Sequence, residues 1–223
     1  RAHDLMEEVV LPKERELSGG MAVSDSTINE IREAAREYGV YAPQIDEEHG
    51  GMGYDFRDTL PTFEEAGRST LGQIAMRVDA PDEGNMHLLE LHGSELQKEQ
   101  YLEPLVKGEI ASGFSMTEPM QGGGSDPKML KTTAEKDGDE WVINGHKWWT
   151  SKGIKADVLL VFARTDQEAH PYEGCSVFLV PKDADGVEVV RNIPHSGSDV
   201  HGMGHAEIKY DDVRVPEENL LGE

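Results

Sequence analysis

Apolar positions in the first hundred residues recur at helical spacing. Ile28, Ile31, Ala34, Ala35 and Tyr38 fall on one face of a helix that Ser24 or Ser26 caps and Gly39 stops. A second helical start lies at Ser94, where Gln97 completes the capping-box pattern, and Leu96, Tyr101, Leu102, Leu105 and Val106 follow until Gly108. Pro104 sits inside that stretch, and its missing N–H and bulky ring predict a break or kink. Between the two helices, Asp46 to Gly53 reads as a Gly-rich acidic loop.

From about Ala111 the pattern changes to short strands. Trp141 to Ile143 and His146 to Thr150 flank Asn144-Gly145, a pair that readily supplies the positive φ angles of a type I′ turn, so the expectation is a hairpin. Apolar runs at Val158 to Ala163, Cys175 to Val180, Val187 to Val190 and Ala206 to Tyr210 are separated by turns rich in Asp, Pro and Gly. That spacing predicts an antiparallel sandwich or barrel. A helical half followed by a strand half is the α+β arrangement, with the helical domain over 1–110 and the strand domain over 111–223.

Composition narrows the partners. With 44 Asp and Glu against 21 Lys and Arg, the formal charge is -23, which repels nucleic acid phosphates and anionic membrane surfaces. A surplus of this size suits a salt-adapted cytoplasm, where concentrated ions screen self-repulsion over a few ångströms. Melting temperature is therefore expected to rise between low and molar potassium chloride; a flat or falling trend would remove the halophilic reading. The single Cys175 has no intramolecular partner and lies in an apolar run, so it reads as a small core hydrophobe and implies no oxidising compartment. No apolar stretch approaches the roughly 18 residues that span a bilayer, and the expected location is cytoplasmic.

Two segments carry candidate chemistry. Phe114 to Pro119 leads into Met120-Gln121-Gly122-Gly123-Gly124-Ser125-Asp126, where glycines permit close backbone approach and exposed amides suit an anion; a flexible loop is the plainer reading. It lacks the Gly-Lys-Ser/Thr ending of a phosphate loop and the Rossmann glycine spacing. In His146-Lys147-Trp148-Trp149-Thr150-Ser151 the two indoles should point to opposite faces of a strand, leaving at most one in the core. His201 and His205 lack the spacing of a zinc site and read as loop histidines, and Asp46-Glu47-Glu48 reads as a solvated run, so no metal is expected.

Thr117-Glu118-Pro119 before a Gly/Ser loop, then Ile143-Asn144-Gly145-His146-Lys147-Trp148-Trp149, then Val213-Arg214-Val215-Pro216, resembles the acyl-CoA dehydrogenase family over nearly the whole chain. Ala80 to Met86 and Gly93 to Lys98 resemble the branch that includes long-chain and 4-hydroxyacyl-CoA dehydrogenases. The resemblance implies an N-terminal helical domain, a middle antiparallel β-barrel and a C-terminal four-helix domain, the last absent from this chain. It implies FAD as cofactor, an acyl-CoA substrate oxidised to a trans-2-enoyl-CoA, an electron-transferring flavoprotein as acceptor, and a homodimer or homotetramer.

By position, Phe114, Met116 and Thr117 match the strand against the isoalloxazine ring. Ser125 matches the serine near the FAD pyrophosphate and the acyl-CoA, and Trp149, Thr150 and Ser151 match the segment against the flavin. Ser151 stands where the family usually has Thr, which keeps a hydroxyl. The Met120 to Gly124 stretch is longer than the common family loop by about two residues. In relatives the base that removes the α-proton is a glutamate of the C-terminal domain, so no residue here inherits that role, Glu118 included, and residues 1–223 alone are expected not to oxidise acyl-CoA. The competing reading is a ligand- or partner-binding module of the same fold without catalysis.

Overall fold

The computed structural model describes residues 1–17, 23–119, 122–193 and 204–222. Met120, Gln121 and His201, named above, lie outside the described residues. The chain is α+β and separates into two compact units, Arg1–Glu90 with Leu102–Glu109, and Leu91–Tyr101 with Ile110–Glu223.

The helices are α1 (Ala2–Leu5), α2 (Leu11–Glu16), α3 (Asp25–Glu37), α4 (Phe56–Ala66), α5 (Thr70–Met76), α6 (Asp82–His92), α7 (Glu95–Gln97) and α8 (Glu103–Lys107), with a π-type turn, Met6–Val10, joining α1 to α2. Ser24 caps α3 by accepting from Thr27 N–H at 3.2 Å, and Gly39 takes φ +67° just beyond its end. The capping box at Ser94 and Gln97 forms as the spacing predicts. Before Pro104 the helix widens into a π-type turn, Lys98–Leu102, so the proline falls in the first turn of α8, where its missing N–H costs least.

Leu5, Met6, Val10, Ile31, Ala35, Leu71, Ile74, Met86, Leu89 and Leu105 form the apolar interior of the first unit. Among them lies one guanidinium. Arg77 caps α5 at φ +59° and is 1% exposed; it donates to Leu105 O at 2.9 and 2.6 Å and to Asp82 at 2.7 Å.

The second unit is a sheet of β1 (Ser112–Ser115), β2 (Thr133–Asp137), β3 (Glu140–Ser151), β4 (Val158–Arg164), β5 (Cys175–Pro181), β6 (Val187–Ile193), β7 (His205–Pro216) and β8 (Leu220–Leu221). Its order is β6-β7-β3-β1-β4-β5-β8, with β2 on β3 and β4. The expected antiparallel sheet is in fact mixed, because β4 runs parallel to both β1 and β2. The long connection that parallel neighbours require is supplied here by the β2–β3 hairpin rather than a helix. Ile143, Leu159, Val161, Phe178, Val180, Ile208, Val213 and Val215 fill its core. Gln97 belongs to this unit, donating to Glu218 O at 2.6 Å and Leu220 O at 2.8 Å.

Asn144-Gly145 is not a turn, which corrects the hairpin expectation. Both residues lie mid-strand in β3, at a register shift against β7. Asn144 exchanges two hydrogen bonds with Asp212, at 3.0 and 2.9 Å, and a Cβ on Gly145 would overlap the Thr132 side chain. The dipeptide thus serves a bulge and a close approach without a positive φ at either residue; what Gly145 contributes is the absence of a side chain. The true hairpin joins β2 to β3 at Gly138, φ +66°, where Asp137 faces Glu140. No helix among the described residues is long and apolar enough to cross a membrane.

Candidate functional site

The two motif segments meet where β1 pairs with β3, inside the strand order of the sheet. Phe114 pairs in register with Ser151, and just beyond β1 the Thr117 carbonyl accepts from Trp148 N–H at 2.9 Å. Phe114, Met116, Thr117 and Ser151 are all half-buried there.

A second irregularity of β3 shapes this region. The register with β7 shifts between Lys147 and Thr150, so Trp148 and Trp149 form a bulge, a device that re-aims side chains. Trp149 sits at φ +56°, a region that a bulky L-residue occupies at a cost of roughly 1–3 kcal/mol. Its ring is 37% exposed and stands edge-on to Trp148 at 6.1 Å and to His205 at 5.7 Å. Neither indole is fully buried.

What the bulge buries instead is Lys147, which residue-type reasoning passed over. Its ammonium, with the side chain 0% exposed, donates to Glu118 at 2.9 Å and to Met116 O at 2.8 Å. Glu118 also accepts from Thr132 N–H at 2.8 Å and Lys131 N–H at 2.7 Å. Burial pushes the Lys147 ammonium down to about 8 despite Glu118. Burial alone would raise the Glu118 carboxyl, but Lys147 and the Thr132 N–H outweigh it and hold the group below its ordinary value. Glu118 is therefore a sequestered carboxylate with both oxygens engaged by donors.

The glycine loop closes over that carboxylate. Glu118 N–H donates to Gly124 O at 2.9 Å, and a Cβ on Gly122 would overlap the Glu118 side chain. One glycine is thus explained by packing, while Ser125 beyond it is exposed.

Thr150 points the other way. It is fully buried, and its hydroxyl lies 3.1 Å from that of Ser115, which in turn lies 2.8 Å from the Tyr210 hydroxyl. Burial raises the Tyr210 phenol strongly, so this chain of hydroxyls is neutral. Ser151 shows its hydroxyl on the opposite side of the strand, 3.1 Å from Nδ1 of His205. His205 opens β7 and is half-buried, which corrects its reading as a loop residue. The structure therefore brings Phe114, Met116, Thr117, Trp149 and Ser151 together along the β1–β3 pairing and assigns Thr150 an internal side chain. Cys175 is half-buried at the start of β5.

The family profile described as the acyl-CoA dehydrogenase N-terminal domain matches residues 1–109, and that for the middle domain matches residues 113–213. The chain is 40% identical over 200 residues to FadE2 of Mycobacterium tuberculosis, named a probable acyl-CoA dehydrogenase, covering 88% of this chain and 48% of that protein. It is 35% identical to mouse acyl-CoA dehydrogenase family member 11, covering 99% of this chain and 30% of that protein. A crystal structure of acyl-CoA dehydrogenase from Geobacillus kaustophilus superposes with a TM-score of 0.77 at 32% identity, covering 99% of this chain and 56% of that one. The chain belongs to the acyl-CoA dehydrogenase family. It spans half or less of the length of these two curated relatives.

Proposed function

We propose that the protein carrying this chain binds FAD and dehydrogenates an acyl-CoA thioester to the trans-2-enoyl-CoA. The observation that carries this reading is the strained, solvent-facing Trp149 at φ +56°, two residues before Ser151, which pairs with Phe114. Backbone strain at a bulky residue persists where surrounding structure over-determines it, and it clusters at ligand-binding sites.

The residues present fit a flavin. A planar ring system needs an apolar or aromatic floor and a few hydrogen-bonding groups at its rim. Phe114, Met116 and Trp149 supply the first, and Thr117 and Ser151 hydroxyls the second. When bound, FAD supplies the acceptor for the hydride leaving the β-carbon. Trp149 orients it and shields one face from water, and Ser151 offers a hydrogen bond at its edge. Thr150 contributes through its backbone, since its hydroxyl is committed inside the sheet. Ser125, exposed beyond the glycine loop, is assigned to the phosphate end of the cofactor and to the acyl-CoA. The wider reading comprises a helical domain over 1–110, a middle barrel domain over 111–223, an electron-transferring flavoprotein as acceptor, a cytoplasmic location and a homo-oligomeric assembly.

Ser151→Ala is expected to weaken FAD binding or shift its reduction potential by the worth of one hydrogen bond, about 0.5–1.5 kcal/mol. Trp149→Ala should do more, because it removes an aromatic contact as well. Fluorescence titration and spectroelectrochemistry measure both. Wild-type affinity, potential and turnover in the two variants would overturn the site assignment, and bound FAD without enoyl-CoA formation by the full gene product would favour a binding module.

A further inference from the structure

We propose that His205 is a positioning residue for this site, fixing the direction in which the Ser151 hydroxyl offers its proton. The inference rests on the flavin reading above. Its geometric basis is independent: His205 is the cross-strand partner of Ser151 in the β3–β7 register, its Nδ1 lies 3.1 Å from Ser151 Oγ, and its ring stands edge-on to Trp149 at 5.7 Å. One imidazole thus touches both side chains that flank Thr150.

The hydrogen-bond inventory decides what it does there. A serine hydroxyl has one proton to give and two lone pairs to fill. If the hydroxyl donates to an acceptor atom at the flavin edge, it cannot also donate to Nδ1. His205 must then carry its proton on Nδ1 and donate to Ser151, which selects the tautomer and leaves the serine proton aimed at the site. Glu207, two residues along β7, is engaged elsewhere, with His146 at 2.9 Å and Arg191 at 2.6 Å. Nearby Lys152 is held by its backbone, donating to Gly204 O at 2.9 Å, at the residue before His205. The start of β7 is therefore anchored, and the imidazole is presented to Ser151 from a fixed backbone.

The test uses FAD titration and the flavin midpoint potential in the wild type and in His205→Leu, His205→Asn, Ser151→Ala and the Ser151→Ala/His205→Leu double variant. Asn places an N–H near the Nδ1 position and suits a strand less than Leu, so a purely structural role would favour Leu. His205→Leu is expected to weaken FAD binding by about 2- to 12-fold, the range of one net hydrogen bond, and to lower the potential, while His205→Asn stays close to wild type. The double variant should be no weaker than Ser151→Ala alone beyond experimental error, because both changes remove the same interaction. Equal behaviour of Leu and Asn, or additive losses in the double variant, would overturn the role of His205 while leaving the flavin reading intact. Failure of the wild-type protein to bind FAD would overturn both.

Discussion

Glu118→Gln and Lys147→Met are each expected to cost the sheet unit about 3–5 kcal/mol, because either change leaves a buried charge without its partner. Glu118 is 2% exposed and Lys147 fully buried, so water cannot replace the lost contact. The double variant should lose much less than the sum, since the introduced carboxamide still accepts a backbone N–H and the methionine fills the lysine's volume. Urea unfolding followed by indole fluorescence measures all three, and single losses below about 1 kcal/mol would show the pair to be solvated in practice. The same pair gives a pH dependence. The Glu118 carboxyl is depressed in the folded state, so its contribution is present above the unfolded value of about 4.3 and is lost as pH falls through the folded one. The stability gap between wild type and Glu118→Gln should therefore shrink on acidification, and a constant gap would remove the linkage.

Arg77→Met is expected to destabilise the helical unit by a similar amount, about 3–5 kcal/mol. The change strips Leu105 O of two donors and leaves Asp82 and Asp79, 1% and 2% exposed, beside an apolar thioether. Methionine also inherits the left-handed backbone at φ +59°, which an L-residue without compensating bonds resists. Helical circular dichroism against urea reads the loss. A variant as stable as the wild type would mean that the buried guanidinium merely breaks even with an apolar side chain, as some buried ion pairs do.

Short-range signals were legible in the sequence wherever one residue and its immediate neighbours settle the outcome. Ser24 and Gly39 bound α3, Ser94 and Gln97 close a capping box, and the apolar runs at Val158, Cys175 and Val187 became β4, β5 and β6, because caps and strand runs depend on local hydrogen bonds and side-chain alternation. The three ordered motif groups were enough to identify the family resemblance, and with it the segments proposed for the site, Phe114 to Thr117 and Trp149 to Ser151.

Only tertiary structure decided the rest, and in each case because the deciding partner is far away in sequence. Asn144-Gly145 satisfies a hairpin turn and a bulge equally well until Asp212 and Thr132 are placed beside it. Lys147, by residue type a surface side chain, became a buried position of β3 because Glu118, on the loop after β1, supplies the counter-charge. His205 read as a loop histidine until β7 set it opposite Ser151. Periodicity and capping specify which elements form; the pairing of charges and hydroxyls across strands is a long-range condition, met only when those elements have found their register.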